Sequence, residues 1–439
     1  MDNLSTVFRK LHPSAKISSP KPLTITLQSV DDFHPDKLLG QIPGAEQMLS
    51  LRRRLQNAST FEKAKAELTQ LGTTAAIDQD ITNEVDQEPA STRQDDVSDF
   101  SSLLAAGTSA PGDRPSAPAR SAVDSLVGDI VRQHVVPALG EQQSTLITAV
   151  DDALSELVRS VLHAPEFQSL ESIWLGVDSV VTEIYDDAPI EVFIYDMNPA
   201  SINDPSILDQ LQKAITPAAT DNRWSLFVVA DYFGAAPDDL ACLEQWSSLA
   251  QASGAALLAG AAPALAGVES FAATPQDHIA LPDKISELWN NFRDSPSASN
   301  VGLAAPRILQ RQPYGKGSDE IDTFNFAELK PRPSHESFLW GNPAYAITRS
   351  IVEAFQVEGW KFAQFMQQDI PDLPLAIYND GTGQSIKPAG ECLLSEKHAH
   401  EMIELGLIPV LSYRDRNAAK WLQFRSVGQG AGTPAGLGT

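Results

Sequence analysis

The chain has 439 residues, of which 42% are hydrophobic and 20% charged, a composition typical of a soluble globular protein with a packed core. It carries 57 Asp and Glu against 32 Lys and Arg, and this net charge of -25 disfavours binding to nucleic acid or to an anionic membrane. The two cysteines, Cys242 and Cys392, fit a reducing compartment better than a disulfide-stapled exported protein.

The N-terminal residues give no export signal. Residues 1–10 contain an early acid and no apolar core of signal-peptide length. The longest mostly apolar run, 254–267, is short for a bilayer span and is interrupted by Pro263. We therefore expect a cytoplasmic protein without membrane insertion.

Residues 1–72 are predicted to form a small strand-and-helix module. Apolar and polar side chains alternate over 23–30, which is the period of a half-buried strand. A helical pattern starts at Pro35 and continues through apolar positions to Leu55.

Residues 73–121 are predicted to be a flexible linker. The stretch 73–100 has eight acids against one base, and 101–121 is rich in Ala, Ser, Gly and Pro without an apolar period.

Residues 122–425 are predicted to form an α/β domain. Helical spacing through 146–161 is followed by two runs with the composition of buried strands, 190–195 and 225–230, and a helix at 206–215 lies between them, as in a βαβ unit. Helices and strands continue to alternate to about residue 413. The Gly-rich segment 426–439 is predicted to be a flexible tail.

Five stretches of the α/β domain form a recognisable series: HAPEFQSLESIWLG at 163–176, VGLAAPRILQRQPYG at 301–315, FNF with Glu328 at 324–328, FLWGNPAYA at 338–346 and AFQVEGW at 354–360. In the same order, they resemble the large sheath subunit of type VI secretion systems, the TssC or VipB family. Leu175 stands where that family usually has Arg.

The N-terminal module resembles a different protein. SVDDFHPD at 29–36, QIP at 41–43 and LRRRL at 51–55 are similar to the end of the small sheath subunit, TssB or VipA. The chain thus looks like a small-subunit piece joined to a large-subunit body, and the resemblance implies a mixed sheet flanked by helices.

The resemblance implies a structural role without catalysis, cofactor or metal. The expected function is that of a subunit of a contractile sheath, or of its baseplate or sheath-end junction, that assembles by strand pairing. The junction is considered because the family's large subunit extends beyond the region matched here. Expected partners are small and large sheath subunits and copies of the chain, with baseplate components, the inner tube protein and a ClpV-like AAA+ ATPase as further candidates. That ATPase would contact a helix within about 123–160.

Residues of the strand at 23–30 and its continuation are the first interface candidates: Leu23, Ile25, Leu27 and Phe33. An exposed strand edge presents N–H and C=O groups that another chain can pair with. The alternative is that this strand only closes a sheet of its own chain.

The segment after residue 300 supplies the other candidates, Arg307, Arg311, Tyr314 and Trp340. Arginine suits bidentate pairing with carboxylates, either of a neighbouring subunit or within the fold. Trp340 precedes a predicted helix start, with Asn342 as N-cap and Pro343 at the first position, and it belongs either to the core or to an interface.

Two weak patterns leave an α/β enzyme open as an alternative, beside a sheath-binding adaptor that does not polymerise. Cys392, His398 and His400 could offer metal ligands, but their spacing fits no standard zinc pattern. The stretch 380–385, DGTGQS, suggests a phosphate loop but lacks the Lys-Ser/Thr ending that contacts phosphate and magnesium.

Overall fold

A computed structural model describes residues 3–18, 22–68, 143–215, 224–272, 279, 281–364, 369–430 and 432–437. The chain divides into two compact units. The larger contains residues 1–33, 162–320 and 327–439, and the smaller contains 34–161 and 321–326. The predicted linker, 73–121, lies outside the described residues.

The described helices are α1 (Leu4–Leu11), α2 (Pro35–Leu38), α3 (Ala45–Gln56), α4 (Gln143–Leu162), α5 (Pro165–Thr182), α6 (Pro205–Ile215), α7 (Pro237–Ser253), α8 (Asp283–Arg293), α9 (Pro343–Glu358) and α10 (Glu396–Glu404). Residues 61–68 are also helical. Among the described helices, none combines the length and apolar character needed to cross a bilayer.

The described strands are β1 (Ser14–Ile17), β2 (Leu23–Thr26), β3 (Leu226–Phe233), β4 (Ala256–Ala261), β5 (Val301–Ala305), β6 (Ile308–Leu309), β7 (Trp340–Gly341), β8 (Asp369–Ile370), β9 (Ala376–Asn379), β10 (Gln384–Lys387), β11 (Ile408–Ser412) and β12 (Ala419–Trp421).

The larger unit is built around a six-stranded mixed sheet of order β3-β4-β5-β11-β12-β8. The pairs from β3 to β11 are parallel, and β12 and β8 are added antiparallel. The unit β3-α7-β4 is a βαβ crossover, which requires a helix between its parallel strands. The predicted α/β fold with a mixed sheet is confirmed.

Both faces of the sheet are covered by helices. Leu257 and Leu303 face a core that includes side chains of α7, α8 and α10. Leu258 and Ala304 point to the opposite face and pack with side chains of α9. Successive strand residues point to opposite faces of the sheet, and each face meets a layer of helices. These strands are therefore apolar at every position.

Residues 190–195, predicted as a buried strand, belong to no strand. Val192, Phe193 and Tyr195 are 47%, 66% and 51% exposed. The segment has the β-branched and aromatic composition of a strand, but no backbone ladder joins it to the sheet. The strand prediction for 190–195 was therefore wrong, and the βαβ crossover lies one strand later.

The N-terminal strand is shorter than predicted. It ends at Thr26, and a short 3-10 turn begins at Val30. The carboxylate of Asp32 accepts hydrogen bonds from the backbone N–H groups of Gln28 and Ser29 at 2.7 and 3.1 Å. These two N–H groups are therefore bound by a local turn instead of a strand ladder.

The described residues of the segment 426–439 pack within the larger unit, whereas the Gly content of this segment predicted a flexible tail. Val427 and Leu437 are buried, and the Val427 N–H donates to the carbonyl of Val301 at 2.8 Å. Two apolar side chains and backbone pairing hold residues that composition alone marks as mobile.

The smaller unit contains α2, α3, the helical residues 61–68 and most of α4. Leu51 and Leu55 of α3 and Leu146 and Val150 of α4 are buried. Arg52 pairs with Asp151, with a second contact from Nη2 to Oδ2 of 3.2 Å. Arg52, the first of the three consecutive arginines of α3, thus joins α3 to α4 inside this unit.

Candidate functional site

The β1-β2 hairpin presents two strand edges. Ala15 opposes Ile25 and Lys16 opposes Thr24 in its antiparallel register. The Leu27 N–H donates to the Pro13 carbonyl at 3.0 Å, so the hydrogen-bonded pairs alternate and include Ala15 with Ile25. Lys16 and Thr24 form the intervening pair, whose N–H and C=O groups point outward along the two edges.

One face of the hairpin packs against its own chain. Ile25, Leu27 and Phe33 are almost fully buried, whereas Leu23 is partly exposed. The Phe33 ring lies 5.6 Å from that of Phe167 on α5, in an edge-to-face arrangement. The interface candidates Ile25, Leu27 and Phe33 are therefore buried inside their own chain.

Arg311 lies in a buried cluster with two carboxylates. Its Nε is 2.6 Å from Glu171 Oε1, and its Nη1 is 2.7 Å from Glu328 Oε2. The Tyr314 N–H donates to the same Glu328 oxygen at 2.7 Å, and His163 Nε2 lies 3.6 Å from the other. One guanidinium thus joins α5, the segment after β6 and the chain at 328.

The two carboxylates of this cluster differ electrostatically. Burial, the largest effect, raises the pKa of Glu171 despite the opposing charge of Arg311. Burial acts in the same direction on Glu328, but Arg311, His163 and the Tyr314 N–H together lower the Glu328 pKa to about 2. The surroundings therefore favour the ionised form of Glu328 more strongly than that of Glu171.

Arg307 forms a second cluster next to β6. Its Nη2 lies 2.6 Å from Glu391 Oε1 and 3.1 Å from Glu336 Oε1, and its backbone N–H also donates to Glu391. His335 Nε2 contacts Glu391 at 2.9 Å. Burial would raise the pKa of Glu391, but the hydrogen bonds from His335 and Arg307 lower it. Both arginines therefore have carboxylate partners inside the chain.

Tyr314 and Trp340 pack on these clusters. The Arg311 guanidinium carbon lies 4.0 Å from the centre of the Tyr314 ring. Trp340 stacks on His335 with ring centres 5.1 Å apart, and its Nε1 donates to the His335 carbonyl at 2.9 Å. Both side chains are buried, at 6% exposure.

The comparison with known protein families covers most of the larger unit. Residues 144–216 and 222–428 match the family model described as VipB, EvpB/VC_A0108, tail sheath N-terminal domain. The chain belongs to this tail sheath family. It is also 24% identical over 364 residues to the type VI secretion system sheath protein TssC1 of Pseudomonas aeruginosa. This similarity covers 76% of this chain and 72% of that protein.

The carboxylate partners in this sheath-family chain were missed by sequence reasoning, although one of them carried a signal. Glu171 follows Phe167 by four residues and precedes Trp174 by three, so it lies on the apolar face of α5. A carboxylate on a buried helix face needs a cation. The sequence does not indicate which arginine supplies that cation, since Arg311 is 140 residues away.

The loop that suggested phosphate binding has a different use in this sheath-family chain. The Asp380 carboxylate accepts from the N–H groups of Thr382 and Gly383 at 2.8 and 2.9 Å and from the Ser385 hydroxyl at 2.6 Å. These hydrogen bonds, first of all the one from Ser385, lower the pKa of Asp380. The amides that a phosphate would require already bind a carboxylate of the same β9-β10 turn.

The Cys392, His398 and His400 pattern brings no ligand set together. Cys392 is buried, and this burial raises the pKa of its thiol to about 12. His400 Nδ1 lies 2.7 Å from the carbonyl oxygen of Glu396. Within the described part of the chain, no group of three or more His, Cys, Asp or Glu side chains could hold a metal ion.

Proposed function

We propose that the chain is a structural subunit of a type VI secretion contractile sheath or of its sheath-end or baseplate junction. The observation that carries this proposal is the β1-β2 hairpin, whose buried face is anchored on its own unit while the backbone groups of Lys16 and Thr24 point outward. A strand of another subunit can pair with such an edge. Membership of the tail sheath family supports the same role.

The buried ion clusters suit a mechanical part. Arg311 joins α5 to two other segments of the larger unit, and Arg307 joins β6 to Glu391. Groups held by several charge-assisted hydrogen bonds resist displacement when a neighbouring subunit applies a load. In this proposal the chain works through packing and strand pairing and carries out no bond chemistry.

The proposed partners are small and large sheath subunits and further copies of this chain, in the cytoplasm. Baseplate components, the inner tube protein and a ClpV-like AAA+ ATPase are further proposed partners. In this proposal the interior of the subunit is stabilised by Arg307, Arg311, Tyr314 and Trp340. The β1-β2 hairpin, which includes Leu23, supplies the contact between chains.

Coexpression of an affinity-tagged chain with small and large sheath subunits of one secretion system tests the proposal. Electron microscopy with a gold label for the tag should show label on tubes, either along them or at one end. The two positions separate a bulk subunit from a junction subunit. Sheaths that never carry the label would overturn the proposal, and label attached outside the lattice would indicate an adaptor.

A further inference from the structure

The connection between α5 and α6 contains a strand-forming segment without a strand partner. Residues 190–196 read Ile-Glu-Val-Phe-Ile-Tyr-Asp, and Val192, Phe193 and Tyr195 are about half to two thirds exposed. No hydrogen bond joins the backbone of 191–196 to another described residue. Within the part of the chain that the structure describes, the backbone donors and acceptors of this exposed segment are therefore left for another strand.

This segment lies beside the end of the six-stranded sheet. Ile190 packs in the same apolar cluster as Val228 and Ala230 of β3, and the Phe193 ring centre is 5.1 Å from that of Trp224. Strand β3 is the last strand on this side of the sheet. The segment thus places an apolar, strand-forming sequence where the sheet ends.

The surroundings of the segment are acidic. Between residues 183 and 212 the sequence has seven acids and no Lys or Arg. Glu183 lies 3.9 Å from Arg349 and Asp209 pairs with Lys213, and the acids nearest the segment are Asp186, Asp187, Glu191 and Asp196. Such a surface repels the acidic remainder of the chain and attracts a basic strand.

The N-terminal segment that contains the hairpin has the complementary charge, with Lys16 on β1 and with Arg9 and Lys10 on the preceding helix α1. Residues 3–30 contain Arg9, Lys10, Lys16 and Lys21 and no acid. Lys16 is exposed and lies opposite Thr24, at the pair whose backbone groups point outward. In a chain with a net charge of -25, this basic hairpin stands out.

We propose that residues 190–196 of one copy accept a strand edge of the N-terminal hairpin of a second copy. The inference rests on the proposed function, because it names the acceptor surface for pairing between subunits. Pairing would extend the two-stranded hairpin to three strands, cover Phe193 and Tyr195, and bring the basic hairpin onto Glu191 and Asp196. Two-stranded sheets are marginal alone, so a third strand stabilises both partners.

Cross-linking between two chains, each with one introduced cysteine, tests this pairing. A Thr24→Cys chain with a short tag and a Tyr195→Cys chain with a long tag are coexpressed with small and large sheath subunits and oxidised. A mixed dimer of intermediate size, at least several-fold above the control, is expected on a non-reducing gel. The native cysteines are both buried, so they leave little background.

The matched control replaces Tyr195→Cys by Ile377→Cys, since Ile377 is 66% exposed on the β9-β10 hairpin. Tubes without an excess of the Thr24–Tyr195 dimer over this control would overturn the inference and leave the proposed function standing. The mixed dimer without tubes would support the inference and contradict the proposed function. Loss of both would overturn both.

Discussion

Glu171 and Glu328 bind the same guanidinium, and we expect removal of their charges to have unequal consequences. Glu328 accepts hydrogen bonds from Arg311 and from the Tyr314 N–H, and its pKa is lowered to about 2. We expect Glu328→Gln to lower the free energy of unfolding by about 3–5 kcal/mol, as found when one partner of a buried ion pair is removed. Chemical denaturation at pH 7 measures this loss.

The matched control is Glu171→Gln. Burial raises the pKa of Glu171, so its charge is held less favourably than that of Glu328. Glu171→Gln should therefore cost less than Glu328→Gln. Equal losses, or a larger loss for Glu171→Gln, would contradict this difference between the two carboxylates.

The contribution of Glu328 should also depend on pH. A carboxyl group whose pKa is lower in the folded than in the unfolded state stabilises the fold above its unfolded pKa, and this stabilisation disappears as pH falls through the folded pKa. The stability difference between wild type and Glu328→Gln should be full above pH 4.5, the ordinary Glu value, and should shrink towards pH 2. Denaturation of both proteins over this pH range tests the direction. A constant difference would show that the charge is not responsible.

Gly436 offers a test of the packed chain end. Its φ is +102°, and an added Cβ would lie 2.5 Å from backbone atoms of Ala255 and Ala256. Gly436→Ala should destabilise the fold by about 1–3 kcal/mol from backbone strain, with the steric overlap adding to the loss. Gly432→Ala is the control because no atom lies within 4 Å of its added Cβ. If thermal unfolding gives the two variants the same stability, the end is not packed as described.

The main strands and helices of the larger unit could be predicted because their sequence patterns are local. The strand at 408–412 and the helix at 343–358 have continuous apolar character and a clear cap, respectively. Residues 190–195 show the limit, because composition marks a strand-forming segment but not whether a neighbouring backbone completes the ladder. The Arg311 cluster shows another, since Glu171 lies 140 residues from its partner.

The outward groups of the hairpin predict how a proline substitution acts. The Thr24 N–H points away from β1, so Thr24→Pro removes an edge donor without removing a hydrogen bond of the hairpin. We expect the variant to fold with nearly unchanged thermal stability but to lose most of its incorporation into sheath tubes, measured by co-sedimentation. Thr24→Ser keeps the N–H and should incorporate like wild type. Normal incorporation of Thr24→Pro would exclude this strand edge as the contact.

Across the whole molecule, the net charge of -25 opposes assembly while the basic hairpin and the acidic 183–212 segment favour it. The two effects differ in range. Repulsion between whole subunits acts over many ångströms, whereas the paired strands would be in contact. Salt shortens the screening length from about 30 Å at 0.01 M to about 10 Å at 0.1 M, which weakens the long-range repulsion first.

Self-association of the chain should therefore increase between about 0.01 M and 0.1 M salt, where the screening length falls from about 30 Å to about 10 Å. Sedimentation velocity over this range measures it. A variant with Glu191→Lys and Asp196→Lys has a less negative net charge, yet it should associate more weakly at 0.1 M salt because the local attraction to the hairpin is reversed. Stronger association of this variant would mean that net charge, rather than the match between the segment and the hairpin, controls assembly.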